Sequence, residues 1–373
     1  MKFIIERDTL LKALSHVQSV VERRQTIPIL ANVLLEASDT DAGRLVLRAT
    51  DNEIEISDKV QASVETAGSI TVSAHKLYDI IKKLSDGAQV ECSLNTETSQ
   101  MLVKSGRSRF ALPTIAPEGF PSMTMEEAAC QFTISTENLR SLIDRTAFAM
   151  STEETRYNLN GIYFHIKEGD TPMLKSASTD GHRLATAEVA LPENAAQMPA
   201  VIIPRKTIGE LTKLLAETDQ DISVAVSSNQ IRLSFGDVVL SSRLIDGAYP
   251  DYVRVIPTNT DKLLEVDSNA LKTVVDRVAV ISESYRGIKL ALKKGSLTVT
   301  ASNSDEGMAE DEMEAGYEGD DMEIGFNYRY LLDILAQVKG GTVRLSLSDG
   351  TSPVILQDAT DESALYVLMP MRV

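Results

Sequence analysis

Three stretches of this chain share one register: "FIIERDTLLKALSHVQSVV" (residues 3–21), "FTISTENLRSLIDRTAFAM" (132–150) and "LEVDSNALKTVVDRVAVIS" (264–282). Each opens as a short alternating strand, passes an Asp, Ser or Thr suited to cap a helix, and continues as an amphipathic helix. The first helical leucine, Leu10, Leu139 or Leu271, falls seven residues after the opening apolar residue every time. Such agreement marks an internal repeat of about 125 residues.

The register continues downstream. "RLVLRATDNEIEI" (44–56), "PMLKSASTDGHRLATAEV" (172–189) and "GSLTVTASNSDEGMAEDEM" (295–313) each carry a strand into a polar corner and out again. A strand then leads into a second helix with a basic residue at its start, Lys76, Lys206 or Arg329. Each copy closes on alternating strands, such as "QMLVKSGRSRFALP" (100–113). The expected fold is α+β, with three repeated domains of two helices and about eight antiparallel strands each. The pattern breaks at "APEGFPSMTMEEAA" (116–129) and "DGAYPDYVRVIPTNTDK" (246–262), which places the domains at 1–127, 128–260 and 261–373.

Three similar units in series make an arc, and an arc with complementary ends closes into a ring by head-to-tail contact between molecules. The ends are complementary in charge. Copy one carries Lys104, Arg107 and Arg109 beside Phe110 and Leu112; copy three carries Asp305, Glu306, Glu310, Asp311 and Glu312. The apolar residues, with Val280 and Ile281, would supply affinity while the charges fix register. Lys76 and Arg277 are placed at the same joint.

Composition excludes several classes. Hydrophobic residues at 43% and charged residues at 24% supply several cores and argue against global disorder. Cys92 and Cys130 are the only cysteines, read as reduced thiols, and the four histidines are scattered singly, so neither a metal nor a cofactor is expected. No signal peptide or long apolar span is visible, which points to a cytoplasmic protein without a membrane partner. A net charge of −17 argues against nucleic acid unless basic residues gather on one inner face.

The second corner, "STDGHRLATAE" (178–188), holds Asp180, His182 and Arg183 together. Thr/Ser and Asp/Asn recur at all three corners, so they are read as turn caps. His182 and Arg183 occur in one copy alone, which suggests local function. A hydrolase or transferase would need a nucleophile or paired carboxylates nearby, and no GxSxG, GxxxxGK or HExxH pattern is present. Binding fits better: Gly181 admits a close backbone, and His182 and Arg183 would offer donors beside apolar walls. A peptide-binding scaffold that does not encircle DNA is the rival reading.

The threefold repeat, "TDGHRLA", "LNG" after "TRY", "YPDYVRV" and the terminal "YVLMPMRV" together closely resemble the bacterial beta sliding clamps, along the whole chain. The resemblance implies a non-enzymatic homodimer, each chain forming half of a head-to-tail ring around duplex DNA without sequence preference. It further implies a ring loader and partners that dock between the second and third domains. Those partners are the catalytic subunit of the replicative polymerase, translesion polymerases and other repair proteins. Carried onto this sequence, the docking groove comprises Leu159, Thr179, Gly181, His182, Arg183, Leu184, Pro250, Arg254, Val255, Val367, Met369, Pro370, Met371 and Arg372, with Asn327 and Tyr330 at its edge. DNA contact falls to Arg24, His75, Tyr157, Asn158, Arg205 and Lys206. The chain departs from the family's best-known pattern at His75, Glu153 and Asn158, where that pattern has arginine, glutamine and tyrosine.

Overall fold

A computed structural model describes residues 1–373 except Asp41, Ala42, Glu126, Glu283, Ser284, Asp305 and Val373. Among the described residues there are six α-helices: α1 (Arg7–Gln18), α2 (Ala74–Lys82), α3 (Thr136–Asp144), α4 (Arg205–Leu215), α5 (Ser268–Ala279) and α6 (Tyr328–Leu335). They are the two helices per copy that the repeat requires. None is long and apolar enough to cross a membrane.

The chain forms two compact units. The first comprises Met1–Leu139, Pro192–Pro199 and Lys206–Leu244. Its antiparallel sheet has thirteen strands. Strands from the first copy and from the middle copy join where Ile54–Gln61 pairs with Val238–Arg243, with Ile56 opposite Leu240. The second unit comprises Arg140–Leu191, Ala200–Arg205 and Ile245–Val373. It holds a nine-stranded and a four-stranded sheet. In the nine-stranded sheet Arg183–Ala190 pairs antiparallel with Asp361–Leu368, Arg183 opposite Leu368 and Ala187 opposite Ala364. One pairing therefore occurs twice: the strand leaving a polar corner adds to the closing strand of the next copy.

Helical spacing explains the cores. Leu10, Ala13, Leu14 and Val17 form one stripe of α1, and Leu271, Val274, Val275 and Val278 the matching stripe of α5; all are buried. Each such leucine stabilises the fold by roughly 1.5–3 kcal/mol. Both cysteines are buried and unpaired, and burial pushes the Cys92 thiol up to about 12.

Helix starts differ from the expected caps in one copy. Asp267 caps α5 by accepting from the Ala270 N–H at 2.7 Å, and Ser135 accepts from Asn138 N–H at 3.3 Å before α3. At α1 the capping position is Glu6, whose side chain makes no cap bond. The cause is Arg7, which begins the helix one residue before Asp8 and turns inward. Its guanidinium donates to the carbonyls of Ile81 (3.1 Å) and Lys82 (2.8 Å), and to Asp8 and Asp86. The start of α1 thus covers the carbonyl end of α2, where a cation is favoured.

His16, on the buried side of α1, shares its two ring nitrogens between Asp58 (2.7 Å) and Glu217 (3.0 Å). Burial alone would lower its pKa, but hydrogen bonds and charge from Asp58 and Glu217 outweigh this and raise it above the ordinary value. A raised folded-state pKa adds stability below the unfolded value near 6.5, and that contribution is lost as pH climbs through the folded one. Urea unfolding midpoints should therefore fall on the alkaline side of neutrality in the wild type and stay flatter in His16→Gln; parallel profiles would show that His16 does not carry the dependence.

Candidate protein-binding groove and nucleic-acid face

The two corners preceding the junction strands are superposable in their bonding. Thr50 Oγ1 accepts from Asn52 N–H at 3.0 Å and donates to the Ile54 carbonyl at 2.8 Å; Asp51 Oδ1 accepts from the Glu53 and Ile54 amides. Thr179 and Asp180 repeat every bond toward Gly181, Arg183 and His182. The third position is left-handed in both, with φ +77° at Asn52 and +89° at Gly181. Glycine and asparagine tolerate this region. The Thr-Asp pair is thus a turn device. The third corner includes Asp305, outside the described residues.

Arg183 leaves the turn pointing inward, with a side chain only 9% exposed. Its Nε donates to Asp180 at 3.0 Å, one terminal nitrogen to Asp333 at 2.5 Å and the other to the Phe148 carbonyl at 2.6 Å. The guanidinium also lies over the rings of Phe148 and Tyr330, 5.1 and 4.4 Å from their centroids. This differs from the expected free donor: Arg183 is engaged within the chain. His182 is exposed and stacks on Tyr330 at 6.0 Å.

The C-terminal segment is tied alongside. Met369 N–H donates to the His182 carbonyl (3.0 Å), Met371 N–H to Gly325 (2.9 Å), and the Tyr285 hydroxyl to the Arg372 carbonyl (2.6 Å). Met369 is exposed; Pro370 and Met371 are half-buried. Pro370, Met371 and Arg372 line a concavity of about 560 Å³ with Lys289, Glu323, Ile324, Gly325, Gly350 and Thr351. Pro250, Arg254 and Val255 are exposed, and Arg254 is held by Asp251 at 2.7 Å. Asn327 accepts from Arg329 N–H to cap α6.

Three expected lining residues lie deeper than a lining requires. Leu159, Leu184 and Val367 are 8%, 2% and 1% exposed. Leu184 and Val367 belong to a buried cluster with Ala177 and Tyr252, because both lie on the inward face of the strand pair that joins the copies. The sequence reading missed the aromatic ladder packed on that cluster. Tyr163 and Tyr249 stack at 4.8 Å and 3°, Tyr163 stacks on His165, and His165 Nε2 meets the Tyr252 hydroxyl at 2.8 Å. Burial pushes the Tyr249 and Tyr252 phenols up and His165 down. Alternation at Tyr163 and His165, with Tyr249 and Tyr252 in the second linker, was the available signal.

Residues expected to meet DNA fall into two groups. Arg24, Arg205 and Tyr157 are exposed, Tyr157 at 59%. The rest are engaged. His75 Nδ1 meets Gln18 at 3.0 Å and Nε2 the Val21 carbonyl at 2.9 Å; Asn158 donates to the Ala248 carbonyl; Lys206 pairs with Glu22 at 3.0 Å and with Asp51. Lys76 is exposed.

Of the expected joint residues, Arg109, Phe110 and Leu112 lie on the strand Ser108–Ile115 and Glu310 and Asp311 on Gly307–Glu314, while Lys76 lies on α2, Arg277 on α5 and Val280 and Ile281 in the turn that follows α5. Ser108–Ile115 pairs along one side with Gln100–Ser105, and on the other only Thr114 and Ile115 meet a neighbour. Among the described residues, Gly307–Glu314 pairs only with Ser296–Asn303. Among the described residues, the remaining edges have no strand partner. Arg107 and Arg109 are exposed and Phe110 and Leu112 half-buried on the first; Glu306 and Glu310 are exposed on and beside the second. Val280 is 65% exposed and Ile281 half-buried. Arg277 and Asp311 pair with each other at 2.7 Å within the chain.

No group of three or more His, Cys, Asp or Glu residues is placed to hold a metal among the described residues.

Residues 1–124, 133–251 and 253–372 match, in order, the N-terminal, central and C-terminal domain models of the DNA polymerase III beta subunit. The beta sliding clamp of Caulobacter vibrioides is 46% identical over 100% of both chains. Among solved structures, the C. crescentus beta sliding clamp aligns with a TM-score of 0.97 at 46% identity, over 100% of this chain and 99% of that one. The Bartonella birtlesii sliding clamp bound to griselimycin aligns at 0.97 and 43% identity, over 100% of each.

Arg183→Ala removes three part-buried charge-assisted hydrogen bonds and two ring contacts, so it should destabilise the second unit by about 1–3 kcal/mol. Urea unfolding checks this, and a loss within about 0.5 kcal/mol would mean that the arginine is a surface residue in solution.

Proposed function

The chain belongs to the family of DNA polymerase III beta subunits, the beta sliding clamps, and from that premise we propose how its own residues perform the clamp's task. The clamp is a processivity subunit without catalysis: two molecules close head to tail around duplex DNA and tether the polymerase and other replication and repair proteins. The three copies correspond to domains at 1–127, 128–260 and 261–373. The protein works in the cytoplasm, where its DNA is.

The observation that carries the ring is the pairing that occurs twice within the chain. The corner strand of copy one adds to the closing strand of copy two, and the corner strand of copy two to that of copy three. The corner strand of copy three, Gly307–Glu314, and the closing strand of copy one, Ser108–Ile115, are left over. The same antiparallel pairing between molecules satisfies both edges, as open strands demand. Arg107 and Arg109 then approach Glu306 and Glu310, which sets register, while Phe110, Leu112, Val280 and Ile281 supply apolar contact. The interface is heterologous and closes at two molecules if the joint repeats the geometry of the internal junctions.

Enclosure removes the need for tight DNA binding, so a chain with a net charge of −17 suffices. Arg24, Tyr157 and Arg205 are the exposed candidates for passing phosphate contacts. The groove of His182, Tyr330, Pro250, Val255, Met369, Pro370 and Met371 suits a short hydrophobic peptide, with Met able to adapt to different partners.

Two experiments test this reading. Truncation of Phe110 or Ile281 to Ala should shift the native mass from dimer toward monomer at low protein concentration; an unchanged mass for both misplaces the joint. A labelled Gln-Leu-x-Leu-Phe-type peptide should bind with micromolar affinity, about −8 kcal/mol, and lose binding when Met369 to Val373 are removed. Equal binding by the truncated chain would move the groove elsewhere.

A further inference from the structure

Lys206 stands at the start of α4, where the copies repeat a basic residue, yet two carboxylates hold its ammonium: Glu22 Oε1 at 3.0 Å and Asp51 Oδ2 closer still. These carboxylates differ in freedom. Asp51 has a side chain 6% exposed and spends its other oxygen on the Glu53 and Ile54 amides, so the corner fixes it in place. Glu22 is 57% exposed. It follows directly on a segment anchored by buried Val20 and Val21 and by His75, which bonds Gln18 and the Val21 carbonyl. Burial tends to lower the Lys206 pKa, but Asp51 and Glu22 outweigh it and raise the value.

We propose that Glu22 is an electrostatic brake on DNA contact: with Asp51 it over-neutralises Lys206, so a phosphate approaching that ammonium also meets the excess negative charge of the two carboxylates. The proposal rests on reading Lys206 as DNA-facing. One ammonium against two carboxylates leaves a local charge of −1, while Arg23 and Arg24, next in sequence to Glu22, and Arg205, next to Lys206, are exposed. A ring that must slide gains from this arrangement. Each phosphate contact that persists adds about 0.9 to the slope of log affinity against log salt and adds friction along the duplex. His75 is a positioning residue in this scheme, because its two ring bonds hold the backbone from which Glu22 projects.

The test is a double-mutant cycle on the full-length protein, with E22Q, K206Q and E22Q/K206Q, using a short labelled duplex over a salt series. Thermal melting shows that each variant is folded. E22Q should tighten binding about 2- to 5-fold per site, the range of a single exposed ion pair, and steepen the salt slope by about 1. The gain from E22Q should be abolished in the K206Q background, so that E22Q/K206Q binds no more tightly than K206Q. A gain that survives in E22Q/K206Q would overturn the proposal, since Glu22 would then act on DNA without Lys206. No gain in E22Q while K206Q weakens binding would also overturn it and leave Lys206 as an ordinary DNA contact. If neither these variants nor Arg24→Gln alters DNA binding, the DNA-facing assignment itself fails.

Discussion

The architecture depends on one interaction: antiparallel main-chain pairing between the strand that leaves a polar corner and the closing strand of the following copy. It occurs at Ile54–Gln61 with Val238–Arg243 and again at Arg183–Ala190 with Asp361–Leu368. A repeat built this way leaves an open strand edge in its first and in its last copy, which the matching strand of another molecule can pair. The polar corner itself serves the same end, because Thr and Asp hold the backbone through the turn that delivers each strand to its partner.

Function is built on these junctions and not beside them. At the second junction the turn sends Arg183 inward to Asp180, Asp333 and Phe148, while its neighbour His182 stays outside on Tyr330. The terminal segment runs on from the closing strand and is tied to the His182 and Gly325 carbonyls. In the proposed groove, an arginine with satisfied hydrogen bonds lies beneath adaptable methionines, an arrangement suited to different peptides. The net charge of −17 fits the same logic, since topology does the holding and strong phosphate binding would oppose sliding.

Much of this was legible in the sequence. The three aligned leucines, the polar corners and the alternating closing strands gave the repeat, the six helices and the α+β class. Partnership between side chains was not legible. Arg183 read as an available donor because nothing local reveals Asp333, which lies 150 residues away. His16 looked like an isolated histidine until Asp58 and Glu217 were brought to it. Leu184 and Val367 alternate as lining residues would, and only the pairing of their strands turns them inward. Lys206 likewise read as a free cation, since Glu22 and Asp51 precede it by well over a hundred residues.

The central claim is that the DNA is held by enclosure in a ring closed by edge strands. Its most direct measurement is the retention of the protein on singly nicked plasmid circles, before and after the circles are cut to linear form, at a salt concentration that suppresses direct binding. Enclosure requires stable retention on the circle and rapid loss from the free ends of the linear molecule. Equal retention on both would mean that surface contacts hold the DNA, which would contradict the account.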